Sequence, residues 1–140
     1  MELHLFRAGS LEIALRKTEQ GVSLSGIFDK KISRGMLSQS APLLTLTAER
    51  LSDGETVKVV SDDGFADASI VINGNRGVIT LGGNEKLPGV TVTVLMQAQP
   101  EISRVTFRTV LHSENKEYTL TECDHPMLWF DVKDSVKFLS

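Results

Sequence analysis

Apolar and polar positions alternate with a period of two along most of this chain. The longest such region runs from Leu87 to Phe130. Val90, Val92, Val94 and Met96 fall on one face, and Thr91, Thr93, Leu95 and Gln97 on the other. The alternation continues through Val105, Phe107, Thr109 and Leu111, then Tyr118 and Leu120. Successive Cβ atoms of a strand lie on opposite faces, so this period predicts half-buried strands. Leu11, Ile13 and Leu15 repeat it near the start, and Leu44, Leu46 and Ala48 in the first half. LEIALRKTEQ has good helix formers, but its apolar residues sit at i, i+2 and i+4, which favours strand.

Turn signals separate these runs. Arg7 to Ser10 divides Glu2–Phe6 from Leu11–Lys17, and a strand from Gly21 to Phe28 follows. Asp53-Gly54 and Asn73-Gly74 each lie between apolar runs, where Asp, Asn and Gly tolerate positive φ and close hairpins. Asp62-Asp63-Gly64, Gly82-Gly83-Asn84 and Ser113 to Lys116 are further turns. The result is about twelve short strands and no helix, with turns every ~8–12 residues. That spacing predicts an all-β fold, an antiparallel sandwich or barrel, read as a β-sandwich of about 10–12 short strands. No linker or repeat divides the chain, so residues 1–140 are read as a single domain, or as a fragment of a longer protein.

Composition narrows the function. The 140 residues carry a net charge of −3 and a pI near 5.6. A nucleic-acid-binding domain usually has a basic face and a pI above ~9. Lys30, Lys31 and Arg34, beside Asp29, are the densest basic group and read as a solvated turn. The expectation is no nucleic acid. No apolar run approaches the roughly 18–20 residues of a membrane helix, so no membrane partner is expected either. Met1-Glu2-Leu3-His4 lacks the basic start and apolar core of a signal peptide, giving a cytoplasmic expectation for the chain as written.

Candidate chemistry is sparse. Cys123 is the single cysteine, which excludes an intrachain disulfide and a multi-cysteine zinc site. His4, His112 and His125 share no metal-ligand spacing. Asp62-Asp63-Gly64 lacks the further oxygen ligands of a calcium loop. No metal, cofactor or catalytic residue is therefore assigned. Asp62, Asp63, Glu122 and Asp124 are conceivable paired carboxylates, and each is also explained as a turn or exposed strand residue. His125, held between Asp124 and Pro126, is the best single position for chemistry. Asp124 could orient it. Among the aromatics, Trp129 and Tyr118 combine a ring with a polar handle, which suits either a sugar platform or a core or interface position. The tentative ligand-binding set is therefore Trp129, Tyr118, Asp124 and His125.

The order of short motifs adds a resemblance. Gly21-Val22-Ser23-Leu24 leads into Ile27-Phe28-Asp29-Lys30, followed by Pro42-Leu43-Leu44, Asp53-Gly54 and Ser61-Asp62-Asp63-Gly64-Phe65. Val90-Thr91-Val92-Thr93-Val94 and then Glu122-Cys123-Asp124-His125-Pro126-Met127-Leu128 close the series. Residues 11 to 130 thus resemble the N-terminal β-super-sandwich of many glycoside hydrolases, the galactose-mutarotase-like fold. Such domains are usually longer, and the turn after Asp29-Lys30 lacks their common Thr-Gly. Their catalytic carboxylates generally belong to a following barrel domain, so no family catalytic residue maps onto this chain. The resemblance implies a non-catalytic, carbohydrate-associated module, serving as scaffold or sugar-binding accessory. The alternative expectation is a structural or interaction protein, forming a homo-oligomer or a phage-type assembly. A small enzyme using Asp124 and His125 is the third.

Overall fold

A computed structural model of the chain describes residues 2–30, 34–37, 41–124 and 132–139. Thirteen strands appear in order: β1 (Glu2–Ala8), β2 (Leu11–Thr18), β3 (Gly21–Asp29), β4 (Arg34–Leu37), β5 (Ala41–Pro42), β6 (Thr45–Arg50) and β7 (Thr56–Val60). Then come β8 (Asp67–Asn73), β9 (Arg76–Gly82), β10 (Val90–Gln99), β11 (Arg104–Ser113), β12 (Tyr118–Asp124) and β13 (Val132–Leu139). One short 3₁₀ turn, Pro100–Ile102, joins β10 to β11. No helix among the described residues is long and apolar enough to cross a membrane.

The strands form three sheets. One has the order β1-β2-β3-β4, with β5 also paired to β3; another has β13-β11-β10-β9-β8; the third is β12-β6-β7. The fold is all-β, as the alternation predicts, and consistent with a sandwich. Leu11, Ile13 and Leu15 of β2 are buried, as are Val90, Val92, Val94 and Met96 of β10 and Val105, Phe107, Thr109 and Leu111 of β11. The inward faces meet in one apolar core that also holds Phe6 and Phe65. Asp53-Gly54 and Gly74-Asn75 close hairpins, with Gly54 and Gly74 both at positive φ.

Three features depart from a simple antiparallel alternation. First, β13 pairs with β11 in parallel, Val105 opposite Val132. A parallel pair needs a long crossover rather than a hairpin. The chain makes it by sending β12 into another sheet, antiparallel to β6, between β11 and β13. The three runs of the Leu87–Phe130 stretch are thus not three neighbours: β10 and β11 pair, and β12 leaves them.

Second, β3 is bulged against β2. Ala14 faces Gly26 and Leu15 faces Leu24, which leaves Ser25 as an extra residue. A bulge shifts the side-chain phase by one. Ile27 therefore joins Val22 and Leu24 in the core, and Phe28 turns out to 38% exposure. Third, β12 is bulged against β6 at Thr121, between Leu120 opposite Ala48 and Glu122 opposite Thr47. The Thr121 hydroxyl donates to the Thr47 carbonyl oxygen at 3.2 Å.

Ser61 ties the sheets together. It is fully buried, and its Oγ accepts from the Leu43 and Leu44 amides at 2.8 and 3.3 Å. The same hydroxyl donates to the Val22 carbonyl at 2.7 Å, and the Val22 amide donates to the Ser61 carbonyl at 2.8 Å. One hydroxyl thus joins the end of β7, the entry to β6 and the start of β3.

Candidate functional site

The site is built on the three-stranded sheet β12-β6-β7, where β7 is an edge. The Arg50 amide donates to Glu55 and the Ser61 amide to Leu44. In the β6–β7 register these contacts fix Val57 and Val59 as the residues whose backbone groups bond β6. The alternate residues, Thr56 and Lys58, then present N–H and C=O on the open edge, since antiparallel pairs alternate in this way.

Loop 83–88 runs alongside that edge and is fastened by Asn84. This side chain is only 4% exposed. Its Nδ2 donates to the Asp63 carbonyl at 3.3 Å, and its Oδ1 accepts from the Lys86 amide at 3.0 Å. Across the cleft, the Gln20 side-chain oxygen accepts from the Gly64 amide at 3.1 Å. Gly64 has φ +80, and a Cβ there would come within 3.1 Å of Asn84 Nδ2. Asn84 thus ties loop 83–88 to the 62–65 turn, and Gln20 ties the same turn to the β2–β3 hairpin.

Between β7 and the loop lies a cleft of about 380 Å³, lined by Gln20, Lys58, Val60, Gly64, Asn84 and Lys86, among others. A second cleft of about 370 Å³ shares Lys58, Glu85 and Lys86 with the first and extends to Thr56, Arg50 and Tyr118. A third, of about 240 Å³, shares Glu19 and Ala66 with the first and leads to Glu2 and Lys17. The shared residues make the three adjoining clefts a groove of mixed polar and apolar lining.

Charge is unevenly distributed along it. Arg50 is already engaged: Nη1 lies 3.3 Å from Asp53 and Nη2 3.0 Å from Glu55. A hydrogen bond to Tyr118 first, then the charges of Asp53 and Glu55, push the Arg50 guanidinium further above its usual pKa. Lys58 and Lys86 are exposed and have no ion-pair partner among the described residues. At the opposite end the groove is acidic, with Glu19 and Asp63.

Asp62 sits in the same turn as Asp63 and is partly buried. Desolvation first, and the neighbouring Asp63 charge after it, raise its pKa above the usual value, against a backbone hydrogen bond that lowers it. A raised folded-state pKa gives stability that is complete below the unfolded pKa and is lost as pH rises through the folded one. Asp62→Asn should therefore be more stable than the parent at neutral pH. The difference should vanish below the ordinary carboxylate range, as read by chemical denaturation across pH.

Of the residues nominated from sequence, Tyr118 is in the groove, half-buried against the core with Leu120 and Cys123. Asp124 is not. Both numbers are even and would share a face in a regular strand, but the Thr121 bulge inverts the phase. Asp124, opposite Thr45, is exposed on the other face. At ~3.3 Å per residue the two are also nearly 20 Å apart. Trp129 and His125 lie outside the described residues, as does the apolar run Met127–Phe130. Cys123 forms no disulfide. Among the described residues no group of three or more His, Cys, Asp or Glu side chains could hold a metal ion.

Sequence reasoning did not single out Lys58, Lys86, Arg50, Gln20 or Asn84. Lone lysines on alternating positions look like solvated strand residues, and only the Gly82-Gly83-Asn84 turn marks the loop. Comparison with family models, curated proteins and solved structures finds no match for this chain.

Proposed function

We propose that this chain is a non-catalytic, carbohydrate-associated β-sandwich module that binds sugar in the groove between β7 and loop 83–88. The observation that carries the reading is the lining. Beside the apolar Val59, Val60 and Ala66, this groove presents carboxamides, ammonium groups, a guanidinium and the backbone edge of β7, the mixture of apolar surface and polar groups that ligand sites use to fix orientation. A hydroxyl-rich ligand matches these donors and acceptors. Tyr118 supplies an aromatic surface with a polar tip at one end. The motif order from Gly21 to Leu128, similar to a galactose-mutarotase-like super-sandwich, supports the same reading. Calorimetric titration with neutral and acidic oligosaccharides tests it. Tyr118→Ala should weaken binding by about tenfold, the equivalent of ~1.4 kcal/mol. An intact fold with no heat of binding across the panel would end the reading.

A second reading, a structural or interaction protein that self-associates, rests on a different surface. Cross-strand neighbours Leu5, Ala14 and Gly26 form an apolar row on the outer face of the β1 sheet. Leu3 at 57% and Phe28 at 38% exposure extend it. β1 is an edge strand, and exposed apolar edges pair readily with other chains. Sedimentation as a monomer at all accessible concentrations would remove this reading.

A further inference from the structure

We infer that the saccharide bound in this groove is acidic, with its negatively charged group held between Lys58 and Lys86; this rests on the carbohydrate reading above. Both lysines line both of the larger clefts, so their ammonium groups serve a common stretch of surface. Neither has an ion-pair partner among the described residues, although nearby Arg50 is doubly paired. Glu85 is the one carboxylate shared by both clefts, so this stretch carries a positive balance.

The backbone supports the same ligand. Lys58 is one of the residues whose N–H faces the open edge of β7. An N–H to carboxylate bond is stronger than its neutral counterpart. Ammonium groups act as strongly hydrated point charges rather than planar forks, so they favour net charge over one fixed orientation. The ligand class is therefore an oligosaccharide carrying carboxylate, such as a hexuronate chain. The acidic far end, with Glu19 and Asp63, would repel a second charge, so few charged groups suit the groove better than a densely charged polymer.

The test compares a hexuronate oligosaccharide with the neutral hexose oligosaccharide of the same linkage and length, titrated at low salt against the parent, Lys58→Gln, Lys86→Gln and the double variant. The acidic ligand should bind about tenfold more tightly, because each exposed ion pair contributes a factor of roughly two to five. The double variant should lose that advantage, its affinity for the acidic ligand falling by a larger factor than its affinity for the neutral one. Raising the salt should weaken only the acidic ligand, by screening. Equal affinity for the two ligands would overturn the inference and leave the carbohydrate reading standing. So would a double variant that weakens both alike. Binding of neither ligand by the folded parent would overturn both.

Discussion

Gly21→Ala is expected to destabilise the fold by about 3 kcal/mol or more, a large share of the ~5–15 kcal/mol that holds a domain together. Gly21 has φ +132, outside the left-handed helical region that other residues can visit. A Cβ placed there would lie 2.0 Å from the Ser61 carbonyl oxygen and 3.3 Å from the Asp62 Cα. Both are backbone atoms, so no side-chain rotation relieves the clash. The same Ser61 carbonyl accepts the Val22 amide. Alanine would therefore break the junction between β3 and the end of β7 as well as strain its own backbone. Gly74→Ala is the control: φ is +61 there and nothing lies within 4 Å of the added atom. It should cost only about 1–2 kcal/mol. Urea denaturation of the two variants measures the contrast, and equal losses would contradict the close approach at Gly21.

Ser61→Ala is expected to cost about 3 kcal/mol. The substitution removes almost no volume, so packing is not the cause. It withdraws the acceptor of the Leu43 amide at 2.8 Å and of the Leu44 amide at 3.3 Å, and the donor to Val22 at 2.7 Å. The site is fully buried, and a polar group left unpaired there costs ~1–3 kcal/mol. Amide hydrogen exchange gives a second readout. Protection should fall at Leu43 and Leu44 before it falls in β10 and β11, whose hydrogen bonds do not depend on Ser61. Uniform loss of protection would mean that Ser61 acts only through global stability.

Fold class was legible because its signals are local. Alternation along Leu11–Leu15 and Val90–Met96 reports a strand whatever it pairs with. Asp53-Gly54 and Asn73-Gly74 report turns for reasons internal to two residues. What was not legible depends on partners distant in sequence. Nothing in TVLHSENKEYTL states that β12 leaves β11 for β6. The two bulges are equally hidden, yet they decide which side chains face where. Ser25 sends Phe28 outward, and Thr121 separates Asp124 from Tyr118. Ser61 reads as an ordinary strand-end serine until Leu43 and Val22 are placed around it.

The candidate site divides the same way. Tyr118 could be named from its chemistry, as an aromatic residue with a hydroxyl. Its neighbours could not, because Lys58 and Lys86 are 28 residues apart and meet only across the cleft between β7 and loop 83–88. Asn84 and Gln20 hold the walls of that cleft through carboxamide bonds to backbone atoms in a third segment, Asp63 and Gly64.

The central claim is that the groove along β7 is a saccharide site. It is tested most directly by amide chemical-shift mapping of the folded protein during titration with a hexuronate oligosaccharide and with its neutral hexose counterpart. Shifts should grow with ligand and concentrate at Thr56, Lys58, Asn84, Lys86 and Tyr118, leaving Leu3, Leu5 and Asp124 unmoved. Saturable shifts confined to the outer face of the β1 sheet, or none at the groove residues, would contradict it.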